Sequence, residues 1–210
     1  MHEYIFILPI LLFLLLGVMS PGPSFILVAQ TAMSKPRSEA IAVSVGMGVG
    51  ATIFAVIASV GLFVLIETVP WVYIALKVIG GSYLCYLAFK MWGRSNEPLE
   101  TTITSHKTNN GILKMFFIGL FTQLSNPKTA IVFGSVFATF LPENLPEYSY
   151  FIITASTFII DTLWYVLVAT LLSTSKAQKA YAKFKKYICR LAGGFMGVLG
   201  VKLISSQQLP

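Results

Sequence analysis

The chain has 210 residues, 56% of them hydrophobic and 11% charged, with a formal net charge of +7 and a mean hydropathy of +0.78. A soluble domain of this size cannot bury so much apolar surface, and the apolar residues fall in blocks long enough to cross about 30 Å of hydrocarbon. The composition is that of an all-α integral membrane protein, since the strict alternation of a membrane β-barrel is absent.

The start, MHEY, carries Glu3 and no base. It lacks the basic opening of a cleaved signal peptide, so the first span is expected to stay in the mature protein. That first apolar block, about 4–33, is interrupted by SPGPS at 20–24. Pro21 and Pro23 lack an N–H and clash with the carbonyls of Gly17 and Met19, which breaks the helix. In hydrocarbon an unpaired backbone group costs several kcal/mol, so such a break survives only where protein covers it or a wet cavity meets it. Gly22 permits close approach and unusual backbone angles there.

A connector at 34–39 with Lys35, Arg37 and Glu39 leads to the second block, 38–65, which carries Gly46, Gly48 and Gly50. The third block, 71–92, holds Lys77 and ends in KVIGGSYLCYLAFK; Trp71 and Trp92 sit at its ends, where membrane interfaces enrich aromatics. The stretch 93–111 is rich in Ser, Thr and Asn and reads as a linker. The fourth block, 112–140, is again over-long and again broken, at SNPKT, 125–129, where Pro127 frees the carbonyl of Gln123. The fifth, 148–172, carries Asp161 near mid-depth, followed by Trp164 and Tyr165. The stretch 173–187 holds Lys176, Lys179, Lys183, Lys185 and Lys186 and no acid, and the sixth block, 187–206, contains RLAGGFMGVLGVK.

Basic connectors alternate with acidic ones, which hold Glu67, Glu143 and Glu147. The positive-inside rule then makes loops 34–39, 93–111 and 173–187 cytoplasmic and sets both termini outside. The net charge therefore reports orientation and contact with the lipid bilayer, and no nucleic-acid partner is expected.

The halves repeat. Gly80-Gly81 between Lys77 and Lys90 match Gly193-Gly194 between Arg190 and Lys202, and the SPGPS break matches the SNPKT break. The expected architecture is six transmembrane helices as a 3+3 inverted repeat, the first and fourth broken at SPGP and SNPK. Residues 1–92 form the first repeat, 93–111 a cytoplasmic linker and 112–210 the second repeat. Inverted repeats with discontinuous helices at matching positions mark secondary transporters, whose solutes bind at the breaks. Ser20, Pro21, Gly22, Pro23, Gln123, Asn126, Pro127 and Lys128 are the expected substrate-binding or pathway residues, with Ser24, Thr31 and Ser125 nearby. An intramembrane charge is a functional candidate by default. Asp161 either couples protons, holds a substrate ammonium or forms an ion pair with Lys128. Lys77 either snorkels to the interface or joins the pathway, and Trp164 and Tyr165 are placed to line it.

SPGP, the glycines of the second block, LKVIGGSYLCYLAFK, QLSNPK and DTLWY together resemble the lysine exporter (LysE/RhtB) family, over essentially the whole chain. That resemblance implies export of an amino acid from a bacterial cell across the inner membrane, with no cofactor. The chain departs from the family at the first connector, where KPRSEA replaces the usual glycines.

Other classes fit poorly. The histidines, His2 and His106, lie outside the spans, and there is no HExxH or GxxxxGK[ST], so neither an enzyme nor a nucleotide-driven pump is expected. Cys85 and Cys189 form no CxxC or metal-ligand cluster and read as buried small residues. A passive channel or inorganic-ion carrier is the alternative. Gly46 with Gly50 and Gly193 with Gly197 have GxxxG spacing, which packs helices closely within the monomer or at a homodimer seam.

Overall fold

A computed structural model describes residues 4–68, 70–93, 95, 111–142 and 145–205, and among these the regular structure is entirely helical. The helices are α1 (Ile7–Met19), α2 (Pro23–Ser34), α3 (Arg37–Thr68), α4 (Pro70–Gly93), α5 (Ile112–Leu124), α6 (Pro127–Phe140), α7 (Ser149–Leu171) and α8 (Ser175–Ser205). The segments Arg37–Gly61, Ser149–Leu171 and Lys183–Ser205 are long and apolar enough to cross a membrane. The bent pair α1 and α2 is a fourth candidate if counted as one span, its two helices meeting at 53°. The linker expected at 93–111, with His106, lies mostly outside the described residues, as do His2, Glu3 and Glu143.

Helix boundaries follow local chemistry at both interruptions. α1 ends at Met19, and Pro23 opens α2; α5 ends at Leu124, and Pro127 opens α6. Each proline sits in the first turn, where a missing N–H costs nothing. One expected loop is not a loop. Most of 173–187 is helical, because α8 begins at Ser175; its Lys, Ala and Gln residues are strong helix formers, so the basic stretch extends the last helix. Likewise only Lys35 and Pro36 separate α2 from α3, and Lys35 lies 4.0 Å from the buried carboxylate of Glu39.

α3 packs along α5 and α7, and α4 along α8. Small residues allow this closeness. A Cβ on Gly46 would fall on the Phe116 carbonyl, and one on Gly119 on the Val43 carbonyl. On the other seam a Cβ on Gly81 would lie 2.7 Å from the Gly200 carbonyl, and one on Gly193 2.6 Å from Trp92. Both GxxxG pairs are thus used inside the monomer and give no support to a homodimer.

The core divides in two. One apolar cluster holds Ile7, Ile10 and Leu14 of α1, Ala51 and Ala55 of α3, Val132 to Phe137 of α6, Ile153 of α7 and Met196 and Leu199 of α8. The other holds Phe25, Val28 and Ala29 of α2, Val43 and Met47 of α3, and Tyr165 and Val168 of α7. Three helices have buried residues in both and change cluster in turn: α1 between Leu14 and Val18, α3 after Met47, and α7 between Ile153 and Tyr165. The proline breaks lie near these points. Gly119→Ala should destabilise by about 1–3 kcal/mol through overpacking, while Gly134→Ala, which has no neighbour within 4 Å, should be neutral or stabilising by up to about 1 kcal/mol. Thermal midpoints of the detergent-purified variants distinguish the two.

Candidate functional site

The interruption of α1 leaves its last carbonyls without helical partners. Ser20 turns back on Gly17, with its N–H at 3.3 Å and its hydroxyl at 2.8 Å from that carbonyl. The remaining capacity is met from the other half of the chain. The Lys128 ammonium, in the first turn of α6, donates to the carbonyls of Gly17 at 3.1 Å and Ser20 at 2.8 Å, and also contacts the Ser20 hydroxyl. A cation at a helix C-terminus is further favoured by the macrodipole. Gly22 has an ordinary extended backbone, φ −159°. Its value is room: a Cβ there would lie 3.3 Å from Cδ and 3.4 Å from Nζ of Lys128.

From Lys128 a chain of hydrogen bonds crosses the molecule. Its backbone N–H donates to Asn126 Oδ1 at 3.0 Å, which caps α6. Asn126 Nδ2 donates to the Ser24 hydroxyl at 2.9 Å, and Ser24 donates to Gln123 Oε1 at 2.6 Å. Gln123 Nε2 donates to Asp161 Oδ1 at 3.1 Å. The network therefore joins the α1–α2 break, the α5–α6 break and the middle of α7. No side chain caps α2, in contrast to α6, and Gly22 at its start lies beside Lys128.

These residues enclose a cavity walled by Ser20, Gly22, Ser24, Gln123, Asn126, Lys128, Asp161 and Tyr165, with Leu14, Phe25, Thr129, Val132 and Phe133 completing it. Only about 20 Å³ is open to the centres of water-sized spheres, room for about one water. Ser20, Ser24, Gln123, Asn126 and Asp161 are buried here between the two apolar clusters, while Lys128 is half-buried.

Seven of the twelve sequence candidates line this cavity: Ser20, Gly22, Gln123, Asn126, Lys128, Asp161 and Tyr165. Pro23 and Pro127 line an adjoining open groove of about 370 Å³, and Asn126 belongs to both spaces. Pro21 lines neither, acting through the turn it forces. Lys77 is buried on α4 rather than exposed, and is absent from the cavity wall. Trp164 packs against the second apolar cluster with its indole N–H unpartnered, also off the wall. Asp161 and Lys128 make no direct ion pair: backbone carbonyls take the ammonium, and Gln123 takes the carboxylate. Ser24 is the pivot of the network, legible only as a hydroxyl near a break. Phe25 carried no signal, being one apolar residue in an apolar run.

Apolar helices of membrane-crossing length around a closed, charge-bearing cavity define a multi-pass membrane transport protein. The chain matches the LysE type translocator model over residues 15–207. It is 34% identical over 194 residues to the threonine efflux protein of Salmonella typhi, covering 92% of this chain and 94% of that one. With the threonine efflux protein of Escherichia coli (strain K12) it shares 33% over 198 residues, at the same 92% and 94% coverage. A leucine efflux protein of Enterobacter sp. (strain 638) is 25% identical over 186 residues, covering 88% of this chain and 86% of that one. No solved structure matches significantly. The chain belongs to the LysE type translocator family, as its SPGP, QLSNPK and DTLWY motifs indicated, and is an inner-membrane transporter, not an enzyme.

Replacing Gln123 by Leu strands the Ser24 O–H as a donor and the Asp161 carboxylate as an acceptor, while Asn126 still donates to Ser24. Gln123→Leu should cost about 1–3 kcal/mol for each stranded group, whereas Ser125→Ala, on an exposed side chain, should stay within about 0.5 kcal/mol. Thermal unfolding in one detergent compares the pair.

Proposed function

We propose that this protein exports a neutral amino acid, threonine being the first to test, in exchange for protons, and that the cavity between the two breaks is its binding site. The observation that carries this reading is the single network from Lys128 to Asp161. It offers a cation and an uncapped helix N-terminus at one end and a carboxylate at the other, which is the complement of an amino acid's carboxylate and ammonium. The threonine efflux relatives, at 33–34% identity, supply the substrate class. The substrate carboxylate docks at Lys128 and the start of α2, a helix N-terminus being a ready anion site. The ammonium docks on Asp161. A bare carboxylate at mid-membrane is costly, so Asp161 holds either a proton or the ammonium. That alternation couples proton entrance to amino-acid exit.

The same reading takes α1 with α2, and α5 with α6, as two broken spans in a six-span, 3+3 inverted repeat. Residues 1–92 and 112–210 are the two repeats, 93–111 is the cytoplasmic linker, and both termini face outside. The α4–α8 seam supports it. Both double-glycine segments face this one seam: a Cβ on Gly81 of α4 would lie 2.7 Å from the Gly200 carbonyl, and one on Gly193 of α8 would lie 3.2 Å from the Ala88 carbonyl.

Liposomes containing the protein and loaded with a mixture of the common amino acids test this directly. With the outside more acidic than the inside, mass spectrometry should find threonine or a close neutral analogue released. Asp161→Asn should bring the gradient-driven part down to the level of protein-free liposomes. Release that survives in Asp161→Asn would confine Asp161 to structure; release of no amino acid would favour an inorganic ion as cargo.

A further inference from the structure

We infer that substrate reaches the cavity between α2 and α8, and that the stacked rings of Phe25 and Tyr181 are the gate on that route. The nature of the cargo rests on the export reading above; the gate does not.

Phe25 is the ring of the cavity wall that faces α8. It is fully buried, and it stacks on Tyr181 with centroids 5.0 Å apart and planes 24° from parallel. Tyr181 lies in the first turns of α8, beside the exposed Lys183 and Phe184. One aromatic pair thus separates the polar cavity from the basic end of α8.

The Tyr181 hydroxyl is buried and has no hydrogen-bond partner among the described residues. A buried unpartnered hydroxyl is unfavourable, and burial holds this phenol well above its ordinary range, so it stays neutral. A phenylalanine would stack there without that penalty. The hydroxyl gains partners only when the rings part and water or a polar solute comes between them, so the closed pair is poised to open.

A path lies behind the gate. Tyr181, Lys185, Cys189 and Met196 recur at helical spacing and share one face of α8. Lys185 and Cys189 are buried, and Met196 approaches Gly17 on the cavity wall. Cys189 lies within electrostatic reach of both Lys185 and Lys128. A carboxylate passing the gate therefore meets one buried cation and then a second, which is already part of the cavity. The seam itself is thin. α8 packs closely along α4, while its contact with α2 is slight apart from the ring stack. The two helices can separate here without breaking a backbone-to-backbone interface.

Cys189 serves as a built-in reporter of opening. In a Cys85→Ala background, maleimide labelling of Cys189 in membranes should be slow. Tyr181→Ala or Phe25→Ala should speed it by about tenfold or more, because truncating a stacked ring raises the open population to which a buried thiol responds. Tyr181→Phe, which keeps the ring, should label as slowly as the parent. So should Phe13→Ala, which removes a stacked ring (Phe13 on Phe140) from the opposite cluster. Equal labelling in Tyr181→Ala and the parent would overturn the gate, as would an equal rise in Phe13→Ala, which would report general loosening. Labelling needs no transported solute, so a failure of the amino-acid reading and a failure of the gate are seen separately.

Discussion

The carbonyls of Gly17 and Ser20 set the terms for the rest of the molecule. Two prolines and a glycine interrupt an apolar helix, and backbone oxygens left bare in an apolar setting are expensive. The chain meets them with a lysine from the other proline break, 3.1 and 2.8 Å away. Each break is therefore a condition of the other. Lys128 needs oxygens to justify a buried ammonium, and those oxygens exist only because α1 stops at Met19. A side chain on Gly22 would crowd that lysine, its Cβ falling 3.3 Å from Lys128 Cδ.

Tying the breaks together gathers the polar side chains of the two breaks and of mid-α7 into one layer. Asn126, Ser24 and Gln123 pass hydrogen bonds from α6 to α2 to α5 and on to Asp161 of α7. Above and below that layer the packing between the same helices is mainly apolar. Gly50 marks the level on α3, where a Cβ would press within 2.8 Å of Gln123. A polar layer between two apolar plugs suits alternating access: opening either plug exposes the same groups to a different side. On the proposed mechanism, movement is confined to thin seams such as α2–α8, while the glycine-packed pairs α3–α5 and α4–α8 stay together.

Much of this was legible in the sequence, and the residues show why. SPGPS and SNPKT stand out because proline and polar residues are improbable in mid-span, and Asp161 because a carboxylate there is rarer still. The helical character and the family followed from such signals. What could not be read is who bonds to whom. Lys128 and Asp161, as the only two ionisable residues near mid-depth of their spans, invite pairing, yet freed carbonyls compete for the ammonium and win by proximity. Lys77, read as snorkelling to the interface or joining the pathway, is buried on α4 and absent from the cavity wall. The basic stretch at 173–187 read as a loop because its charge was more visible than its helix propensity. Phe25 and Tyr181 left no trace, since a gate made of ordinary aromatics looks like any core.

Proton release on binding tests the central claim, that ammonium and proton compete for Asp161. Threonine is added to the detergent-purified protein in weakly buffered solution, and a pH indicator follows the protons set free. The mechanism predicts about one proton released per amino acid bound, and none from Asp161→Asn. Saturable binding without proton release, or release that persists in Asp161→Asn, would contradict it.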